Sequence, residues 1–101
     1  MGVLSHTNVT DREVLQDLGR RLRALRETQG LTRVETAERA GLSRRTVSRA
    51  EEGHNPTLLT VVRLLRLYGR LGALEDFLPE PEVSPMAILR SLKSRRGRSR
   101  G

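Results

Sequence analysis

The sequence contains no cysteine and no tryptophan, one tyrosine, one phenylalanine and a single lysine. Without cysteine there is no disulfide framework and no thiolate metal site, which fits a reducing cytoplasm. Tyr68 and Phe77 are the only aromatics. They are too few to build the stacking platforms that hold single-stranded nucleic acid. Long apolar runs are also missing. The most apolar stretch, "LLTVVRLLRLYG", is interrupted by Arg63 and Arg66 and is too short and too charged to span a bilayer. The amino terminus, "MGVLSHTNVTDREV", has no apolar core for a signal peptide, and His6 breaks the myristoylation pattern. A soluble, cytoplasmic chain with no membrane partner is expected. His6 and His54 stand apart from other ligand types, so no metal site is expected. No Ser/His/Asp set, phosphate-cradling glycine loop or carboxylate pair in an apolar setting occurs. Neither catalysis nor a cofactor is expected.

What the sequence has instead is positive charge, a formal +7 over 101 residues. An excess of that size in one small domain favours a polyanionic partner, nucleic acid or an acidic surface. Nearly all of it is arginine, whose planar fork matches phosphate and guanine edges. A GC-rich genome produces the same bias with no function behind it, so composition alone leaves both explanations open.

Helical signatures recur along the chain, and nothing alternates like a strand. Residues 1–10 are polar and aperiodic, a flexible arm. Thr10 with Glu13 reads as a capping box, followed by Val14, Leu15, Leu18, Leu22 and Leu25 at helical spacing. This predicts a first helix over 11–28. Thr32 with Glu35 opens a second, ended at Gly41. Ser43 opens a third, ended at Gly53, and Thr57 caps a fourth reaching Tyr68. The fourth is apolar nearly all round and is expected at the centre of the core. A fifth, roughly 71–78, completes a domain over 11–78. Residues 79–93 read as a linker and a short amphipathic helix opened by Ser84 and Pro85, and 94–101 as a disordered basic tail.

The two short helices joined at "RAGLS" form a helix-turn-helix. Ala37 is small where the second helix approaches the third, and Gly41 can take the positive φ of a sharp turn. With Val47 and Ala50 facing inward, Arg45, Ser48 and Arg49 point away, and Arg44 lies at the exposed start. This makes the third helix a recognition helix for the major groove. The segments "RLRALRE", "GLT", "A-x-x-A-G-L-S" and "E-x-G" at these offsets, from Leu18 to about Leu78, resemble the lambda-repressor-like (Xre/Cro type) helix-turn-helix family. The resemblance implies a five-helix fold and sequence-specific binding of double-stranded DNA as a homodimer. It places the base-reading positions on Ser43, Arg44, Arg45 and Arg49. It places a phosphate contact on Arg33, where glutamine is usual, and a structural pair on Arg26 and Glu51, with Arg26 a further phosphate candidate. Thr36 stands where the family has leucine, and Ala50 where a larger aliphatic is common, so modest stability is expected.

The "GHN" turn offers His54 and Asn55 to a phosphate or serves only as a capping turn. A dimer seam is expected at Leu71, Leu74 and Leu78, joined by Met86, Ile88 and Leu89. The apolar face of 83–92 reads most simply as a strap over the chain's own core or part of that seam, and otherwise as a docking site for another protein. Two functions fit: a transcriptional repressor on an inverted-repeat operator, nucleoid-associated in the cytoplasm, and an antitoxin. The second follows from a short likeness of "LPEPEVSP" and the basic tail to HipB-like antitoxins, which implies a kinase-type toxin partner.

Overall fold

The computed structural model describes residues 8–98. They form α1 (Asp11–Thr28), α2 (Arg33–Ala40), α3 (Arg44–Glu51), α4 (Leu58–Leu67), α5 (Ala73–Phe77) and α6 (Pro85–Arg98). Among the described residues there is no strand, and the all-α expectation holds.

The starts of the first four helices are fixed by hydroxyls. Thr10 Oγ1 accepts from the Glu13 N–H at 3.1 Å, and the Thr10 N–H donates back to Glu13 Oε1 at 3.3 Å. Thr32 and Glu35 repeat this reciprocity, at 3.1 and 3.0 Å. Accepting those Thr32 donors holds the Glu35 carboxyl below the usual carboxylate range. Ser43 and Thr57 cap α3 and α4 through the Thr46 and Thr60 N–H groups. Each cap satisfies a donor that helix geometry leaves open. Thr10 caps α1 with Glu13 as the spacing predicts; residues 1–7, most of the expected arm, lie outside the described residues.

Leu22, Ala37, Val47, Ala50, Leu64 and Tyr68 form the buried core, with Leu18, Leu25, Leu31 and Leu42 packed on it. Two backbone features let the helices close on this core. Gly41 ends α2 at φ +68°, a left-handed conformation glycine adopts without steric cost. The Leu42 N–H can then reach Ala37 O at 2.9 Å, and Arg63 of α4 donates to Gly41 O at 3.0 Å. Gly19 of α1 lies directly against the end of α3. A Cβ there would sit 2.8 Å from Ala50 O and closer still to Glu51 O. No side chain fits at that crossing.

Thr36 is fully buried, as the leucine it replaces would be, and its hydroxyl has no hydrogen-bond partner. The Tyr68 hydroxyl is also buried without one. Burial pushes the Tyr68 pKa up, and the neighbouring Thr36 hydroxyl opposes the rise without reaching bonding geometry. Two orphaned hydroxyls in a core this small are consistent with the modest stability expected of Thr36.

The second half departs from the sequence reading in three places. α4 is not at the centre on all sides: Thr60 and Leu64 are buried, while Leu58 and Leu59 are 66% and 58% exposed. A helix apolar all round has here one face on the core and another uncovered. α5 spans only Ala73–Phe77, because Leu71 and Gly72 lie in the preceding turn. α6 is longer than the short helix expected. It continues through Arg98, so 94–98, read as disordered tail, are helical; 99–101 lie outside the described residues. Met86, Ile88, Leu89 and Leu92 are all about half exposed or more, so α6 is not a strap over the chain's own core.

Candidate DNA-binding face

α3 is eight residues long and anchored at both ends. At its start Ser43 Oγ accepts from the Thr46 N–H at 3.0 Å and lies 2.8 Å from Thr46 Oγ1. At its end Glu51 is buried, its side chain only 1% exposed. Arg26 Nε and Nη2 donate to the two Glu51 oxygens at 2.7 and 3.0 Å, a bidentate fork. Arg26 Nη1 donates to Leu31 O at 2.9 Å, tying the α1–α2 turn to the same point. The Glu51 carboxylate raises the Arg26 pKa further, so the guanidinium is permanently charged.

Between these anchors Val47 and Ala50 are 0% and 1% exposed. On a helix of 3.6 residues per turn, the opposite side carries Arg45, Ser48 and Arg49, with Arg44 at the leading edge. Arg44, Arg45 and Arg49 are exposed, and Ser48 is half-buried. None of the three arginines is engaged in an ion pair among the described residues. Their charge faces solvent on a helix that cannot roll without breaking the Glu51 anchor.

The phosphate candidates divide. Arg33, at the first position of α2, keeps a third of its side-chain surface open while Nε donates to Glu51 Oε1 at 3.2 Å. Its remaining nitrogens are available to a phosphate. His54 and Asn55 are exposed in the turn after α3 and, with Arg12, Gln16 and Arg49, line an open cleft of about 660 Å³. Asn55 has φ +42°. Arg26 differs: its side chain is 12% exposed and its guanidinium is committed to Glu51 and Leu31, which leaves the structural role. Ser43 likewise has its hydroxyl engaged in capping.

Two residues on this face were not singled out from sequence. Glu52 caps the end of α3 in helical conformation and projects between Ser48 and Arg49, its Oε2 lying 3.4 Å from His54 Nε2. The same 3.6-residue wheel that selects Arg45 selects Glu52. Arg12 lies at the start of α1, beside the His54 turn only in the fold. Elsewhere on α1, Arg20 and Arg21 are held by Asp17 at 3.0 and 2.8 Å. The bond from Arg21, chiefly, keeps the Asp17 carboxyl below its ordinary range. The seam candidates are apolar and largely open: Leu71 and Leu78 are 37% and 76% exposed, and Leu74 is half-buried. Phe77, missed from sequence, is 72% exposed beside them.

Among the described residues no group of histidine and carboxylate side chains is placed to hold a metal ion, and no helix is long and apolar enough to cross a membrane. A family model described as a helix-turn-helix domain matches residues 17–78. The HTH-type transcriptional regulator PuuR of Escherichia coli (strain K12) is 37% identical over 65 residues, which is 63% of this chain and 34% of that protein. The PuuR protein of Shigella flexneri matches to the same extent. The chain thus covers about a third of the length of these curated relatives. No solved structure matches significantly. The capped α2 and α3, the glycine turn between them and the Arg26–Glu51 anchor lie wholly inside the matched span, and the chain belongs to the lambda-repressor-like helix-turn-helix family.

Proposed function

We propose that this chain is a transcriptional regulator that binds double-stranded DNA in a sequence-specific manner, as a homodimer on an inverted repeat, and acts as a repressor. One observation carries the reading: α3 presents Arg45 and Arg49 on the side opposite Val47 and Ala50, with Arg44 at its leading edge, and none of the three is in an ion pair among the described residues. Arginine's bidentate match to guanine O6 and N7 is the commonest specific contact in the major groove. Arg45, Ser48 and Arg49 read base edges, with Arg44 and Ser43 at the entry of the helix. Glu52, on the same face, suits the cytosine amino group. Arg33, His54 and Asn55 contact phosphates and set the register. A helix of two turns reads few base pairs, so two copies act about 34–36 Å apart, joined through Leu71, Leu74 and Leu78. The regulator's name of the relatives favours this reading over an antitoxin, which needs a toxin partner in addition.

Binding of variants to cognate and scrambled duplexes tests the assignment. Arg45→Ala and Arg49→Ala relax the preference for G·C pairs, by about 1–3 kcal/mol per lost bidentate contact. Arg33→Ala weakens binding to all duplexes alike and lowers the salt slope by about 0.9 for the lost phosphate. Unchanged base preference in both α3 variants would overturn the role of α3. A footprint without two-fold symmetry would overturn the dimer.

A further inference from the structure

α1, α4 and α5 enclose an apolar groove of about 400 Å³, lined by Leu18, Leu22 and Leu25, by Val61 and Leu65, and by Phe77. Its only charged lining residue is Arg21, which Asp17 already holds at 2.8 Å. Small-molecule sites place a few polar groups to fix a ligand's orientation. This groove has none to spare, and its chemistry suits the apolar face of a helix.

The same chain carries such a helix with nothing against it. α6 is a built element, its start capped by Ser84 Oγ accepting from the Ala87 N–H at 3.1 Å. Over its first two turns Met86, Ile88, Leu89 and Leu92 share one side by the three-and-four spacing of a helix stripe, and each is 47% to 61% exposed. Charge is also divided to match. Residues 71–84, which include α5, hold Glu75, Asp76, Glu80 and Glu82 and no basic residue; residues 85–98 hold five basic residues and no carboxylate.

We propose that α6 of one chain seats its Met86–Leu92 stripe in the α1/α4/α5 groove of a second copy, and receives that copy's α6 in return. The proposal rests on the homodimer reading above and says which surfaces make the dimer. A second copy is favoured over the chain's own groove because α6 stands clear of its own body, every described side chain of it exposed. Pro79 and Pro81 in the link from α5 stiffen it against doubling back. Extended, the seven residues from Leu78 to Ser84 reach about 24 Å, enough to cross an α5 seam. Each chain offers one groove and one ridge, so a two-fold exchange leaves neither open.

The absence of native cysteine makes the test direct. Phe77→Cys and Leu89→Cys change exposed residues, one at the groove and one on the α6 stripe. When the two single variants are mixed and oxidised, a 77–89 disulfide joining two chains is expected on a non-reducing gel and by peptide mass spectrometry. In parallel, Leu89→Glu with Leu92→Glu in the full chain should weaken dimerisation about 100-fold by sedimentation, the burial of two leucines being lost. Three results overturn the proposal. They are a 77–89 disulfide closed within one chain of the double variant, 77–77 disulfides alone, and an unchanged dimer in the Leu89→Glu, Leu92→Glu chain. If that chain still footprints two-fold symmetric DNA with an unchanged dimer, the exchange fails and the DNA-binding reading stands. If the parent chain shows neither a dimer nor base preference, the functional reading itself fails.

Discussion

The two halves of the molecule are equally rich in aliphatic residues and treat them in opposite ways. From Thr10 to Tyr68, helix starts are capped by hydroxyls, Leu22, Val47 and Leu64 are almost fully buried, and a carboxylate on α3 gathers arginines from α1 and α2. From Leu71 onward none of the residues whose burial is described is buried, and Phe77, Leu78, Val83 and Met86 are each more than 60% exposed. Helices in water draw most of their stability from burying an apolar face. The first region is stabilised from within. The second has apolar faces that a lone chain leaves in water, and these are the faces the proposed dimer would cover.

The contrast can be broken most severely at Glu51. Its side chain is 1% exposed and anchors Arg26, itself 12% exposed. Glu51→Ala leaves that guanidinium desolvated without its counter-charge, a loss of about 3–5 kcal/mol for a buried pair cut on one side. Small domains have only about 5–15 kcal/mol in total, so urea titration should show a chain close to unfolding. A loss below about 1 kcal/mol would mean that the anchor is not what holds α3.

Gly19→Ala is a test of sign. Helix propensity alone favours alanine by about 1 kcal/mol. The added Cβ, however, meets backbone carbonyls of Ala50 and Glu51, which cannot rotate aside. Overpacking costs of about 1–3 kcal/mol should win, giving a net loss of up to about 2 kcal/mol by denaturant titration. A gain would show that α1 and α3 have room between them.

What was legible in the sequence follows the same division. The bounds of α1, α2 and α3 could be read because capping boxes and Gly41 are local signals, written within four residues of the backbone they control. The outward face of α3 was legible from Val47 and Ala50 by periodicity. Gly19 and Arg12 were not, since nothing within α1 says which helix will cross it. α4 was placed too deep because an all-apolar helix looks the same whether its second face meets the chain's own core or remains uncovered. α6 was cut short for a related reason. Arginine is a good helix former, so a basic run after an apolar face does not by itself end a helix.

Thr36→Val should act in the opposite direction, as a gain. The hydroxyl is buried without a partner, and valine keeps the branched shape while removing it. Relief of an unsatisfied buried group is worth about 1–3 kcal/mol; the loss of a weak interaction with Tyr68 reduces this to about 1 kcal/mol, read as a rise in midpoint with unchanged slope. A destabilised Val variant would show that the Thr36 hydroxyl is satisfied in solution.

The smallest effect expected is the most informative about the second region. Leu64 and Leu92 are both helix leucines, 0% and 49% exposed. Leu64→Ala empties a packed site and should cost about 2–5 kcal/mol at any protein concentration. Leu92→Ala, in a chain diluted until it is monomeric, removes only surface area and should change stability by less than about 0.5 kcal/mol. As the concentration rises the gap between the two variants should narrow. A partner that binds only folded chains stabilises by mass action, so the parent's melting temperature climbs with concentration. In Leu92→Ala that climb should be shallower, while Leu64→Ala starts lower. A Leu92→Ala chain as unstable as Leu64→Ala in the dilute monomer would place α6 on its own core and remove the distinction between the two regions.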